Sequence, residues 1–336
     1  MTLNEEIALA AGREIIFGET QLDEYDIGKY EKSARLIIIL GKRNTGKTVW
    51  ALNFVYHHRH IYPVGVIITK TAFNGFWRQF APHHLVVDTF TPQLIEAIFK
   101  MQEARVLQQG ANSRFLILID DMASDVVMRY SEVLTTMAYN GRHYNLDILF
   151  LTQDVVKATT AMRRNADLFA MLTTMGQPSL EHVYKEFASI DFADYPNFQQ
   201  CMLRQTENWG VFCIDNMDPN KRGKERFFHS QGKLPPNDPA AKDDPDNVLP
   251  MFTLFAPWAW GARDWEHCQK IAAEQRKKLK LPKKYSAGYM HNLKNAPRTR
   301  VTTAQIAGTT QTHQEVKSAS NQSLFAKLAS MGGPIN

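Results

Sequence analysis

Short runs of uninterrupted apolar residues, separated by helix-like stretches, constrain the fold of this chain more than any other feature. The apolar runs lie at residues 35–40, 64–69, 114–119, 146–152 and 168–174. The helix-like stretches lie at about residues 47–58, 91–108 and 125–140. Strands that are apolar throughout are typical of a parallel sheet with both faces covered. We therefore predict an α/β fold with a mainly parallel sheet covered by helices on both faces.

Changes in composition divide the chain into regions. Residues 1–30 are expected to form an N-terminal arm, because glycines and acids interrupt any long period. Residues 31–235 are expected to form the core, in which a last strand at 209–215 closes the sheet. Residues 236–300 hold a Pro- and Asp-rich linker, an aromatic segment and a basic stretch, which make a smaller C-terminal region. Residues 301–336 are rich in Thr, Ser and Gln, so we expect a largely disordered tail.

Bulk properties disfavour several classes of protein. The net charge of +5 is too small to identify a nucleic-acid binder on its own. Cys201, Cys213 and Cys268 form no CxxC pair, which disfavours a disulfide framework or a zinc site and favours a reducing compartment. The N-terminus lacks the basic start and long apolar run of a secretory signal. No apolar run approaches the roughly 20 residues that a transmembrane helix requires.

The segment GKRNTGKT follows the first apolar run and opens a helix-like stretch, the context in which this spacing forms a phosphate-binding loop. Backbone amides at the start of the helix are suited to phosphate oxygens. Lys47 is expected to reach the β- and γ-phosphates of ATP, and Thr48 to bind Mg²⁺. The alternative is a Gly-rich turn that binds no nucleotide. The residues expected to bind the nucleotide are Gly41, Lys42, Arg43, Asn44, Thr45, Gly46, Lys47 and Thr48.

Polar residues lie at the carboxyl ends of two of the other predicted strands. Asp120 is expected to hold Mg²⁺ through Thr48 and water, and Asp121 to orient or deprotonate the attacking water. The alternative for this acid pair is a cap on the next helix, although Asp125 is well placed for that role. Gln153 is expected to act as a sensor of the γ-phosphate or its water, and the alternative is an amide that caps a loop.

The apolar run at 64–69 bears on the subtype of nucleotide site. We expect this strand to separate the phosphate-loop strand from the strand of the acid pair, as in the P-loop proteins that use an acidic base. Kinase-like P-loop proteins are therefore disfavoured.

Arginines supply candidates for stabilising transition-state charge. Arg142 follows Asn140-Gly141, a predicted helix end, and is expected on an exposed loop beside the sensor strand. From there its guanidinium can point into the site of a neighbouring subunit. Arg163 and Arg164 are the competing candidates, and the alternative for all of them is plain solvation at the surface.

These motifs, in the order GKRNTGKT, FLILIDDM, NGRHYNLDILFLTQD, MRRNADLF and TENWGVFCID, resemble those of the DNA-packaging ATPases of poxviruses and other large DNA viruses, relatives of the FtsK and HerA translocases. The resemblance covers about residues 35 to 230. It implies a RecA-like ATPase that acts as a ring, with the roles given above. Arg142 matches the arginine that precedes the sensor strand in this group. Asp121 departs from the wider superfamily, in which Glu is usual.

A basic stretch in the C-terminal region suits phosphate backbones, because counterion release gives DNA binding that is independent of sequence. The alternatives are a solvated helix face and a nuclear-localisation patch. The residues expected to contact DNA are Arg276, Lys277, Lys278, Lys280, Lys283 and Lys284.

Two further clusters of side chains have an ordinary structural explanation. The aromatic cluster is a candidate for docking on a capsid or membrane surface, but a small satellite core explains it better. The histidine cluster resembles a metal site only superficially, because it lies near the end of a helix that polar groups stabilise. The aromatic residues are Phe252, Phe255, Trp258, Trp260 and Trp265, and the histidines are His57, His58 and His60.

The function that these patterns favour is ATP-driven translocation of double-stranded DNA into a viral capsid. The implied partners are DNA, further copies of the chain in a pentameric or hexameric ring, and capsid-vertex or internal membrane proteins. The expected location is the host cytoplasm or nucleus at sites of virion assembly, or the virion itself. The alternatives are a cellular-type DNA pump or helicase of the same superfamily, and a nucleotide-gated structural virion protein with weak turnover.

Overall fold

The computed structural model describes residues 6, 14–29, 33–122, 125–129, 131–173, 176–233, 253–260, 266 and 270. Strands in this part of the chain are β1 Asp23–Glu24, β2 Leu36–Leu40, β3 Val64–Thr69, β4 Val86–Val87, β5 Phe115–Asp120, β6 Leu146–Thr152, β7 Leu168–Met171, β8 Gly210–Asp215 and β9 Phe227–Gln231. The α-helices are α1 Lys47–His57, α2 Pro92–Gln109, α3 Val126–Arg129, α4 Glu132–Asn140, α5 Thr160–Asn165, α6 Gln177–Val183 and α7 Tyr195–Gln205.

All of these strands join one sheet, in the order β1-β9-β8-β7-β2-β6-β5-β3-β4. From β7 to β4 the neighbouring strands are parallel. Every residue of β2, β3, β5 and β6 is buried. Because successive side chains of a strand point to opposite faces, this burial means that both faces of the sheet are covered. The predicted fold class is therefore confirmed for the described core.

The edges of the sheet differ from the prediction. The strand expected to close the sheet is β8, which runs antiparallel to β7 but is not an edge. The antiparallel β9 and the short β1 extend the sheet beyond it. The sequence of β9, FFHSQ, lacks the uninterrupted apolar run of the central strands, because its burial is only partial.

The position of β3 also differs from the prediction. We expected it to separate the phosphate-loop strand β2 from β5, but β3 lies on the far side of β5. The strand between β2 and β5 is β6. The sensor strand β6 therefore separates the phosphate-loop strand from the strand of the acid pair. The order of strands along the chain does not reveal this pairing.

Two elements are shorter than their sequence patterns predicted. The helix expected at 125–140 is divided, because the hydroxyl of Ser131 accepts from the amide of Val133 and caps a new helix, α4. The strand expected at 168–174 ends at Met171. The amide of Leu172 donates to Leu40 O at 2.8 Å, and β2 offers no partner beyond that point because the next residue begins a loop.

Residues 253–260 of the C-terminal region lie against the core beside β3. The amides of Leu254 and Ala256 donate to carbonyls of Phe80 and Pro63, at 2.6 and 2.8 Å. Phe255 and Trp260 are buried in the main hydrophobic core, so the expectation of a separate satellite core is wrong for them. Trp258 is partly exposed. The other members of the aromatic cluster, Phe252 and Trp265, lie outside the described residues.

Candidate active site

The carboxyl ends of β2, β6 and β5 lie side by side and bring the predicted site together. Gly41 begins the loop after β2, Asp120 is the last residue of β5, and Gln153 follows β6. In parallel pairing, Asp120 lies opposite Leu151, and Leu40 lies opposite Thr152. Residues widely separated in the chain therefore meet at one edge because parallel strands end on the same side of a sheet.

The loop GKRNTGKT owes its shape to local backbone conformation. Asn44 and Gly46 have φ values of 62° and 96°, in the left-handed region that Asn and Gly tolerate best. A Cβ on Gly41 would lie 2.6 Å from Thr45 Oγ1, so the loop also requires glycine at its start. Gly46 is the N-cap of α1, and no side chain caps this helix. Thr91 and Asp194 cap α2 and α7 with their side chains, so α1 begins in a manner suited to an external anion.

Lys47 lies inside this loop rather than facing solvent. Its Nζ donates to Lys42 O at 2.7 Å, and the side chain is half-buried. Burial lowers the pKa of Lys47 from its ordinary value, while the charges of Asp120 and Asp121 act in the opposite direction. An approaching phosphate would favour the charged ammonium in the same way as these carboxylates.

The side chains of Asp120 and Thr48 offer oxygen atoms of the kind that Mg²⁺ prefers as ligands. Thr48 Oγ1 donates to Asp120 Oδ2 at 3.2 Å. Asp120 is buried, and burial raises the pKa of its carboxyl group. The hydrogen bonds from Trp77 and Thr48 act in the opposite direction and lower this pKa. A divalent cation beside this carboxylate would stabilise its charged form, so the residues present fit the metal. Within the described residues, no group of three or more His, Cys, Asp or Glu forms a metal cluster.

Trp77 is a site residue that the sequence analysis missed. Its Nε1 donates to Asp120 Oδ2 at 3.0 Å, and its side chain is buried. Trp77 lies in a short 3₁₀ helix, Trp77–Gln79, that follows β3. Because the contact joins elements distant in sequence, no local pattern marks this tryptophan as part of the site.

Asp121 and Gln153 lie together at the exposed mouth of the site. Gln153 Nε2 donates to Asp121 Oδ1 at 3.1 Å, and both side chains are exposed. Asp121 has a φ of 56°, so the chain turns sharply where β5 ends. The capping alternative for the acid pair belongs instead to Asp125, whose Oδ1 accepts from the amide of Met128 at 3.0 Å.

Arg142 lies near the amino ends of the parallel strands, whereas the site lies at their carboxyl ends. It forms an ion pair with Asp167, whose Oδ2 accepts from the amide of Leu36 at the start of β2. The seven residues of β6 separate Arg142 from Gln153, a distance of about 20 Å along the strand. An arginine side chain cannot span that distance, so Arg142 does not reach the nucleotide site of its own chain.

The competing arginines differ from each other in their surroundings. Arg163 is buried, and it donates to Glu186 Oε2 at 2.8 Å and to Ala158 O at 2.7 Å. These contacts give Arg163 a structural explanation. Arg164 is exposed and lies in α5, shortly before Asp167. Its role as a finger stays a prediction.

The structure describes some of the predicted histidines and cysteines but none of the predicted DNA-contact residues. His58 is buried between Arg35 and helix α1, where its Nδ1 bonds to Phe54 O at 2.8 Å. Burial lowers the pKa of His58 to about 4, so the ring is neutral and part of the core. Cys201 and Cys213 are free and buried. Cys268 lies outside the described residues. So do the predicted DNA-contact residues Arg276, Lys277, Lys278, Lys280, Lys283 and Lys284.

A family model matches the part of the sequence that contains this site. Residues 23–186 match the family model described as Poxvirus A32 protein. The resemblance to proteins of poxviruses and other large DNA viruses is thereby confirmed. The matched segment contains the phosphate loop, the acid pair and Gln153.

Two relatives of this chain are viral proteins. Uncharacterized protein L437 of Acanthamoeba polyphaga mimivirus is 25% identical over 223 residues, which are 63% of this chain and 77% of that protein. Uncharacterized protein 015R of Frog virus 3 (isolate Goorha) is 26% identical over 195 residues, which are 57% of this chain and 60% of that protein.

A solved structure is also similar to the described fold. It is the genome packaging NTPase B204 from Sulfolobus turreted icosahedral virus 2 in complex with ATP-gammaS, at 12% sequence identity and a TM-score of 0.44. The match covers 61% of this chain and 100% of that one.

Proposed function

We propose that this protein is a Mg²⁺-dependent ATPase that drives double-stranded DNA into a viral capsid. The observation that carries the proposal is the meeting of Lys47, Thr48, Asp120, Asp121 and Gln153 at one edge of a parallel sheet. In P-loop ATPases these residue types bind phosphates, hold the metal, accept a proton from water and sense the γ-phosphate.

The residues of the site divide the hydrolysis reaction among them. Lys47 moves its ammonium from the carbonyl of Lys42 to the β- and γ-phosphates. Thr48 and Asp120 would hold Mg²⁺, which would neutralise charge on the phosphate oxygens. Asp121 accepts a proton from the attacking water, and Gln153 orients the carboxylate through the bond at its Oδ1. The water oxygen forms a bond to the γ-phosphorus as the bond to the β–γ bridging oxygen breaks, which releases ADP and phosphate.

The polymer and the location are further parts of this proposal. The match to a poxvirus family and the viral origin of the relatives favour a viral function over the cellular-type pump or helicase. The proposed partners are double-stranded DNA, a pentameric or hexameric ring of this chain, and capsid-vertex or internal membrane proteins. The proposed location is the host cytoplasm or nucleus at sites of virion assembly, or the virion itself. In the described part of the chain, no helix has both the length and the apolar character that a membrane span needs.

Phosphate release measured with and without DNA tests this function. We expect Mg²⁺-dependent ATP hydrolysis that rises when double-stranded DNA of any sequence is added. Lys47→Ala should abolish hydrolysis, because it removes the charge that holds the β- and γ-phosphates, while circular dichroism shows a retained fold. Normal hydrolysis in a folded Lys47→Ala protein would reject the site. Hydrolysis that DNA does not change would favour the nucleotide-gated structural protein.

Binding to DNA tests the basic C-terminal stretch separately. We expect replacement of Lys277, Lys278, Lys283 and Lys284 by Gln to weaken DNA binding equally for all sequences. The plot of log affinity against log salt should also become shallower, since fewer counterions are released. An unchanged salt slope would mean that these charges do not contact phosphate.

A further inference from the structure

Trp209 is an exposed aromatic side chain beside the phosphate loop. It immediately precedes β8 and is 58% exposed. A Cβ placed on Gly46, the N-cap of α1, would lie 3.4 Å from the Trp209 ring. The indole therefore lies against the backbone of the loop that is proposed to bind phosphates.

The backbone at this tryptophan is strained. Asn208 and Trp209 have φ values of 50° and 65°, in the left-handed region that bulky residues rarely adopt. Hydrogen bonds from β9 and the residue after it maintain this conformation. The amide of Gly232 donates to Trp209 O at 2.8 Å, and Gln231 Nε2 donates to Asn208 O at 3.4 Å. Strain that the surrounding structure maintains, and that presents a large ring to solvent, indicates a functional use.

The order of strands gives the direction in which a nucleotide must lie. Asp121 and Gln153 follow β5 and β6, on one side of the loop after β2, and they define the end for the γ-phosphate. Trp209 precedes β8, on the other side of that loop. From β5 to β8 there are four strand spacings, about 19 Å in total, so the γ-phosphate and the base can lie at opposite ends of the site. The base therefore lies towards β8.

We propose that Trp209 is the platform on which the base of the bound nucleotide stacks. This inference rests on the proposed ATPase function and adds the residue that recognises the base. Every base has a π face, so stacking on an indole favours nucleotides over inorganic phosphates without selecting adenine by hydrogen bonds. The expected ligands are nucleoside di- and triphosphates, among them ATP and ADP.

Calorimetric titration of the full chain with ADP and with pyrophosphate, both with Mg²⁺, tests the platform. The variant is Trp209→Gly, because glycine adopts a φ of 65° without strain and removes the ring. We expect the affinity for ADP to fall about 10-fold or more, with the affinity for pyrophosphate unchanged. Trp209→Phe should restore much of the ADP affinity. Trp258→Ala, at another partly exposed tryptophan, should change neither affinity.

The other outcomes overturn the inference in distinguishable ways. An equal loss for ADP and pyrophosphate in Trp209→Gly would mean that the ring supports the loop instead of binding the base. No loss for either ligand would show that Trp209 contacts no part of the bound nucleotide. A residue that contacts only a second copy of the chain would give this result. If Lys47→Ala binds both ligands as tightly as the wild type, the proposed nucleotide site itself fails, and the platform with it.

Discussion

At the scale of single residues, the left-handed backbone of Asp121 turns its carboxylate towards Gln153 at the mouth of the site. This position leads to a prediction for Asp121→Asn. An amide cannot accept the proton of the attacking water, so we expect turnover to fall about 10²- to 10⁴-fold. Binding of ATP should be retained, because Lys47 and the loop amides remain. Single-turnover phosphate release and equilibrium nucleotide binding measure the two effects.

A neighbouring acid provides the matched control for this prediction. Asp125→Asn makes the same chemical change near the same edge, but Asn caps a helix as well as Asp does. We expect this variant to hydrolyse ATP at close to the wild-type rate. If Asp121→Asn also does so, the role of general base belongs to another residue.

At the scale of elements, a buried ion pair joins β5 and β6 at their amino ends, the edge opposite the site. Arg114 Nε and the carboxylate of Asp147 are 2.6 Å apart, and a second hydrogen bond of 2.8 Å makes the pair bidentate. Both side chains are almost fully buried. We expect Arg114→Ala to lower the free energy of unfolding by about 3–5 kcal/mol, because it removes the bidentate partner of a buried carboxylate. Urea unfolding followed by circular dichroism measures the loss.

An exposed ion pair offers the comparison for Arg114→Ala. Lys185 and Glu181 lie 3.7 Å apart on a helical surface, and solvent screens their attraction. Lys185→Ala should change the free energy of unfolding by less than about 1 kcal/mol. A loss for Arg114→Ala as small as this would show that the carboxylate of Asp147 finds another partner or becomes neutral.

At the scale of the whole molecule, the sheet separates Arg142 from the nucleotide site of its own chain by the length of β6. A finger role for Arg142 therefore requires the site of a second copy, as in a ring. We expect Arg142→Ala to bind ATP normally but to hydrolyse it about 10³-fold more slowly or worse. Nucleotide binding and phosphate release, measured on the same oligomeric preparation, test this result.

Mixing of inactive variants distinguishes action between subunits from a structural role. In rings that contain both Arg142→Ala and Lys47→Ala, an intact site on one subunit meets an intact arginine from its neighbour. Some ATPase activity should therefore return, although each variant alone is inactive. No return in rings shown to be mixed would contradict the finger role of Arg142. Arg164, which is exposed near the same edge, would then be the next candidate.

The sequence by itself determined the central strands and the phosphate loop. Their signals are local, since an uninterrupted apolar run predicts a strand buried on both faces. The spacing of Gly41, Gly46 and Lys47 likewise predicts a loop conformation within a few residues. The end of β5 marked Asp120 and Asp121 as a pair, and the expected contact of Asp120 with Thr48 is present at 3.2 Å. The catalytic roles of these residues stay predictions.

Tertiary structure alone decided the features that depend on contacts between distant segments. Strand pairing placed β6, and not β3, between β2 and β5, and added β9 and β1 at an edge. It brought Trp77 to Asp120 and Trp209 to Gly46, and it put Arg142 at the opposite edge from the phosphate loop. The physical reason is that such contacts depend on which surfaces pack together. A local pattern records how buried a residue is but does not identify the segment that buries it.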